Sequence, residues 1–418
     1  MVQLKNMLPE GVETLYGDEY AFKDEILNNV KNTFRSYGYR QILTPTFEYF
    51  DMYKEMFGGI NFRQMLKFIS PQGDVMVLRP DATIPVARMA AKNIRDKDEY
   101  LKFFYTAPIF RQLETQKGDE REFLQAGVEY FANPNPECDA EIIAIGIKTL
   151  IDNGIEDFRI DLGQVSYLGS LLEEVESDQH VRKQIIQLIE SKNQGDLKSY
   201  LEQRPMEIQY KELILNVVTM YGKPQEVLPL AQKCAINEGM IKAIENCEEV
   251  VRILEDYGYK DYIIFDLGFT NPLNYYTGII FKGYADNFGK AILQGGRYDQ
   301  LTMNFGTYKP ACGFGININY LVEIVSMIKT KDRVTCYTDY LILYEKSTRK
   351  QALTDAEKLR KQGYIVETNE LTDINKQTLL AKQRNIHEIF VVDKNGCNGI
   401  EVIRNGVTND IKEILNRG

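Results

Sequence analysis

Two β-prone stretches lying close together in the chain, residues 103–111 (FFYTAPIFR) and 122–131 (EFLQAGVEYF), constrain the fold most. A polar connection containing Gly118 joins them, and strands this near in sequence pair antiparallel. Alternation along the second stretch puts Phe123, Gln125, Gly127 and Glu129 on one face. A Gln and a Glu turned into a sheet interior are costly unless a polar ligand or partner meets them. The alternative is that this face is solvated.

The remaining pattern is α+β. Tyr20, Phe22, Ile26, Leu27, Val30 and Phe34 recur at near-helical spacing in residues 19–37, and Gly38 ends the run. Strands are expected at residues 39–45 (YRQILTP), leading into 46–50 (TFEYF), and at 74–78 (DVMVL). Helices are expected at 84–94 and at 138–153, the second with acidic residues at its start. From 170 to 257 the pattern becomes almost wholly helical, which reads as a helical insertion. Strands 263–267, 277–284 and 291–293 follow, with Gly295–Gly296 expected as a tight turn before Arg297-Tyr298-Asp299. A charged linker, KTKDR, precedes a tail with strands at 340–344, 364–366 and 388–392 and helices up to 362 and over 375–384. The expected organisation is therefore a core over 1–330 and a small α/β domain over 338–418.

Composition narrows the chemistry. With net charge −10, the chain is a poor general binder of phosphate backbones. Six cysteines (Cys138, Cys234, Cys247, Cys312, Cys336, Cys397) include no CxxC pair, so neither structural zinc nor a disulfide framework is expected. The only histidines, His180 and His387, lie in polar stretches and read as surface residues. No metal site and no cofactor are expected. There is no apolar run long enough to span a membrane and no apolar signal core at the N-terminus, which makes a cytoplasmic location the default.

Several residues could carry binding chemistry. Asp81 and Thr83, after the strand at 74–78, either accept a ligand's ammonium group or begin and cap the next helix. Gln125 and Glu129 offer acceptors from the strand face. Tyr275 and Tyr276 offer phenols, although tyrosine pairs are also common in cores. Arg111, following an apolar strand, could grip a phosphate or carboxylate. Arg297 and Asp299 are expected to pair with each other in a structural role.

The ordered set LRPDAT, FR…GDEREFLQAGVE, LNYYTG and GGRYD…GFGI resembles the catalytic core of histidyl-tRNA synthetase, a class II aminoacyl-tRNA synthetase. The resemblance covers about residues 8 to 330. It implies a class II antiparallel sheet flanked by helices. Pro45 and the TFEYF that follows resemble the motif-1 region, which implies a dimer. The tail is similar, more weakly, to that family's anticodon-binding domain. The histidine pocket of the family maps onto Asp81 (usually Glu there), Thr83, Gln125, Glu129, Tyr275 and Tyr276.

The departures fall on the reaction chemistry. Where the family has arginines that hold substrate carboxylate and phosphates, this chain has Asn271, Asp119 and Tyr320, and the motif-2 glutamate is Leu113; Arg121 is kept. Preorganised cations supply much of the acceleration of adenylation, and Lys117 cannot reproduce arginine's bidentate geometry. This pattern is similar to the regulatory subunits of ATP phosphoribosyltransferase, a synthetase-like family many of whose members stop near the end of the core. That resemblance implies a non-catalytic subunit, with no catalytic residues of its own. It would dimerise within a hetero-octamer and activate a short-form catalytic subunit in the first step of L-histidine biosynthesis. L-histidine is implied as a feedback ligand; neither tRNA nor a membrane is expected as a partner. The alternative is an active histidyl-tRNA synthetase.

Overall fold

The structure, a computed structural model, describes residues 8–54, 62–93, 100–112, 120–269, 275–328, 338–394 and 396–401. It divides into two compact units, Met1–Ile328 and Lys329–Gly418.

The first unit opens with α1 (Asp18–Ser36), whose buried Phe22, Ile26, Val30 and Phe34 form one apolar stripe. After β1 (Arg40–Ile42) come β2 (Phe47–Tyr49), the short α2 (Phe50–Lys54), β3 (Lys67–Ile69) and β4 (Val75–Leu78). Strands β2, β4 and β3 form a small antiparallel sheet in that order. Next is α3 (Thr83–Asn93), then β5 (Leu101–Phe110) and β6 (Glu122–Phe131), paired antiparallel from Leu101↔Phe131 to Phe110↔Glu122. α4 (Pro136–Asp152) begins at Asn135, whose side chain accepts the Cys138 N–H, with Pro136 and Glu137 in its first turn.

β7 (Phe158–Gln164) leads into the helices α5 (Val165–Val175), α6 (Gln179–Glu190), α7 (Gln194–Glu202) and α8 (Ile208–Thr219). The two-residue β8 (Tyr221–Gly222) separates these from α9 (Pro224–Cys234) and α10 (Glu238–Asp256). The unit closes with β9 (Ile263–Asp266), β10 (Ile279–Ala285), β11 (Leu293–Arg297), β12 (Ala311–Asn317) and α11 (Ile318–Ile328). Among the described residues, nine strands form one sheet in the order β1-β5-β6-β12-β11-β10-β7-β9-β8. The run from β5 to β7 is antiparallel throughout, while β1 on β5 and β9 on β7 are parallel.

Alternation divides the side chains between two cores. Phe104, Ala126 and Val128 join the core that includes α1 and α4; Tyr105, Ala107 and Ile109 join the one that includes α3.

Two strand expectations are corrected. The strand predicted at 291–293 spans Leu293–Arg297, and Gly295–Gly296 lie inside it rather than in a turn. The glycines are needed because neighbouring backbone approaches closely: a Cβ on Gly296 would sit 2.5 Å from the Ile279 carbonyl oxygen, and one on Gly295 would overlap Phe314. In the tail, the strand predicted at 364–366 begins at Val366. The preceding helix ends in a Schellman arrangement, with Gly363 at φ 96° and the Tyr364 N–H on the Leu359 carbonyl, and this takes up residues 363–364.

The second unit contains β13 (Tyr340–Tyr344), α12 (Arg349–Lys361), β14 (Val366–Glu370), α13 (Ile374–Gln383), β15 (Glu388–Asp393) and β16 (Gly396–Glu401). Its sheet runs β14-β13-β15-β16, parallel except for β16.

Both histidines are exposed. Cys138, Cys247 and Cys312 are buried free thiols and Cys234 is a half-buried one; Cys336 and the Cys397 side chain lie outside the described residues. No helix among the described residues is long and apolar enough to cross a membrane.

Candidate functional site

The site is assembled on the α3 side of the long hairpin. Arg79, at the end of β4, is buried and donates to the carbonyls of Thr44 (2.8 Å), Pro45 (2.7 Å) and Pro108 (2.9 Å). It thereby pins the segment before β2 and the α3 entry to β5. Asp81 Oδ1 then accepts the Ile84 N–H at 2.9 Å and caps α3, so the capping role read from the sequence is present. Thr83 donates from Oγ1 to Glu129 Oε1 at 2.7 Å, which brings the start of α3 onto β6. Tyr298 donates to the other carboxylate oxygen of Glu129, and Tyr105 donates to Gln125 Oε1 at 3.1 Å.

Across the sheet, Gly313 stands opposite Glu129 and Gly315 opposite Gly127, with the Gln125 side chain lying against Gly315. A Cβ on Gly313 would overlap the Glu129 carboxylate, and one on Gly315 would lie 2.6 Å from the Gln125 amide nitrogen. These glycines make room for the two polar side chains. Tyr275 and Tyr276 close the group, with ring centroids 4.6 Å apart and 5.9 and 6.5 Å from Tyr298. Asp81, Thr83, Gln125, Glu129, Tyr275 and Tyr276 thus come together. The face carrying Gln125 and Glu129 is buried at Glu129, 1% exposed, and half-buried at Gln125 beside the adjoining cleft; Asp81 is 7% exposed.

The electrostatics are unbalanced. Burial pushes the Glu129 carboxyl up to about 8, against the hydrogen bonds from Tyr298 and Thr83. Burial also raises Asp81, although the Ile84 N–H and Arg111 pull the other way. Among the described residues no Lys or Arg hydrogen-bonds to either carboxyl. Two buried carboxyls without a direct cation, ringed by phenols, form a receptor for a cationic donor such as an ammonium group.

Beside this pocket lies a cleft of about 490 Å³, lined by Arg111, Glu120, Phe123, Gln125, Lys282 and Tyr320 among others. Arg111 donates through Nε to the Pro80 carbonyl at 2.9 Å and rests 5.8 Å over the Phe123 ring. At the start of α11 the Tyr320 ring packs 5.4 Å from Phe288, with Lys290 Nζ 5.0 Å above it. Arg121 faces Glu10 at the surface, 3.8 Å away. Leu113, Lys117, Asp119 and Asn271 lie outside the described residues. No group of three or more His, Cys, Asp or Glu side chains among the described residues could hold a metal ion.

Tyr105, Tyr298, Gly313 and Gly315 were not singled out by the sequence as site residues. Their only signal was position: Tyr105 lies on β5 and Gly313 and Gly315 on β12, the strands paired with β6, and Tyr298 follows β11, one strand further along. Arg297 does pair with Asp299 (3.0 Å), as expected, but also with Asp139 of α4 (2.8 Å), and all three anchor β11 beneath Tyr298.

A family model described as histidyl-tRNA synthetase matches residues 11–321. An ATP phosphoribosyltransferase regulatory subunit of Ruminiclostridium cellulolyticum is 38% identical over 98% of this chain and 98% of its own length. One from Alkaliphilus metalliredigens is 34% identical over 94% of this chain and 99% of its own. A solved structure described as an ATP phosphoribosyltransferase regulatory subunit/histidyl-tRNA synthetase from Bacillus halodurans superposes with TM-score 0.82 at 27% identity, covering 92% of this chain and 98% of that one. A histidyl-tRNA synthetase from Nostoc has the same fold, with TM-score 0.79 at 20% identity over 99% of both chains. The Ruminiclostridium relative is matched over nearly its whole length, so the C-terminal unit is no departure from such proteins. On a class II synthetase-like fold, the chain belongs to the ATP phosphoribosyltransferase regulatory subunit family.

Proposed function

We propose that this chain is a non-catalytic regulatory subunit that joins a short-form catalytic subunit and is required for its condensation of ATP with phosphoribosyl pyrophosphate. The observation that carries the reading is the match to regulatory subunits along essentially the whole chain. The pocket supports a ligand-sensing role. Buried Asp81 and Glu129 suit an ammonium and an imidazole N–H, and free L-histidine has both. In this reading histidine is the feedback ligand, the site residues are Asp81, Thr83, Arg111, Gln125, Glu129, Tyr275 and Tyr276, and the C-terminal unit has no tRNA to bind.

The neighbouring cleft supports the loss of adenylation chemistry. Its α11 wall presents the phenol of Tyr320 where the resemblance places an arginine, and one missing strong donor costs on the order of 10²–10³ in rate. Histidine- and ATP-dependent pyrophosphate exchange is therefore expected to stay at background. Robust exchange by the purified chain would make it an active synthetase instead.

Self-association, as the dimer unit of a hetero-octamer, is supported by the small sheet. Phe47 and Tyr49 on β2, Phe68 and Ile69 on β3, and Leu43 just before β2 are all exposed large hydrophobic residues. A monomer seldom leaves so many apolar side chains together in water. Phe47→Glu combined with Ile69→Glu is expected to shift the chain toward monomer in sedimentation velocity. An unchanged dimer in that variant would place the interface elsewhere.

A further inference from the structure

A second cleft, of about 340 Å³, opens where α6 meets the sheet strands β7, β9 and β10. Its charged lining is mixed: Asp161, Glu190 and Asp266 against Lys192 and Lys282, with Phe269 and Tyr284 as aromatic wall. Most of these charges are already matched. Asp161 holds Arg159 at 3.1 Å, and Asp266 Oδ2 holds Lys192 at 2.6 Å.

Two charges are left over. Among the described residues, neither the Glu190 carboxylate nor the Lys282 ammonium makes a hydrogen bond or an ion pair. Glu190 ends α6; Lys282 stands in the middle of β10 with its ammonium 4.7 Å over the Phe269 ring. Burial lowers the Lys282 pKa, and Glu190 is the carboxylate that most offsets this, yet the two do not come within ion-pair distance of each other. Asp266, 9% exposed, adds a carboxylate oxygen, Oδ1, that has no partner. An uncompensated anion and an uncompensated cation on one cleft wall call for a ligand carrying both signs. A divalent cation is a poor fit, because no set of three acidic side chains among the described residues could hold one.

We propose that this cleft binds a free amino acid as a zwitterion, its ammonium on Glu190, its carboxylate on Lys282 and its side chain against Phe269 and Tyr284. The site uses neither Asp81 nor Glu129, although Lys282 and Tyr284 also line the cleft beside that pocket. The volume suits one small ligand, at the low end of ordinary binding cavities.

The test is equilibrium dialysis of the full-length protein against each of the twenty free L-amino acids. It is run on the natural sequence and on Glu129→Gln, which weakens the first pocket. At least one amino acid is expected to bind both proteins alike. Its affinity should fall at least tenfold in Glu190→Gln and in Lys282→Gln. As a second measurement that needs no variant, its methyl ester and its desamino acid should each bind the natural protein at least tenfold more weakly. The proposal is overturned if no amino acid binds the Glu129→Gln protein, if binding ignores both Glu190→Gln and Lys282→Gln, or if the methyl ester and desamino acid bind as well as the parent.

Discussion

Glu129→Gln is expected to weaken L-histidine binding by roughly 10- to 100-fold, because a hydrogen bond to a charged group contributes about 1.5–3 kcal/mol. Glutamine keeps the shape and can still meet Thr83 and Tyr298, so the change removes charge and little packing. The same variant carries a pH signature. In the free protein burial pushes Glu129 up to about 8 from the ordinary 4.5 of a glutamate. The folded state therefore holds a proton that the unfolded state releases between those values. Its stabilising contribution is complete below about 4.5 and is lost as pH rises through about 8. Glu129→Gln should remove that decline, so its thermal midpoint falls less than that of the natural protein between pH 5 and pH 9. Histidine affinity in the natural protein should rise as pH approaches 8, since only the ionised carboxylate attracts the ligand's cation, and should lose that dependence in the variant. Calorimetry across this range checks both. Unchanged histidine binding in Glu129→Gln would move the feedback site elsewhere, to a subunit interface for example.

The largest loss of stability is expected at Arg297. Its guanidinium is 6% exposed and lies between Asp139, itself 2% exposed, and Asp299. Burial raises the Asp139 carboxyl to about 6 despite Arg297 beside it, so the pair is charged at neutral pH. Arg297→Met leaves Asp139 without its cation in a dry interior. Breaking a buried pair from one side costs about 3–5 kcal/mol. The adjoining Tyr298 would also lose its placement on Glu129, so histidine binding should fall with stability. Denaturant unfolding measures the first and calorimetry the second. Lys242→Ala, which removes an exposed pair with Glu238, should leave unfolding unchanged and serves as the control. If Arg297→Met unfolds at the same denaturant concentration as the natural protein, the anchoring role assigned to this triad is wrong.

Much of the site was legible because strand alternation is a strong signal. The ten residues of β6 put Gln125 and Glu129 on one face, while whether that face was buried or solvated stayed open until its neighbours were known. Asp81 and Thr83 were legible as a helix start, and the structure gives Asp81 the cap while Thr83 reaches Glu129. Close backbone approach was not legible. Gly295 and Gly296 read as a turn because glycine pairs usually mark one; here they let β11 lie against β10 and β12. Gly313 and Gly315 matter only through the side chains of β6 that lie against them, and register is not visible in a single strand. The strand β7 (FRIDLGQ) was missed although Phe158, Ile160 and Leu162 alternate with Arg159 and Asp161, because it is short and borders a long helical stretch.

A regulator of a phosphoribosyltransferase should change its partner's rate and activate no amino acid itself. The most direct measurement is the rate of phosphoribosyl-ATP formation by a short-form catalytic subunit, from ATP and phosphoribosyl pyrophosphate, with and without this chain. Background turnover is expected from the catalytic subunit alone, with strong activation when this chain is added and suppression of the activated rate by L-histidine. No activation, together with pyrophosphate exchange by the chain on its own, would contradict the regulatory role.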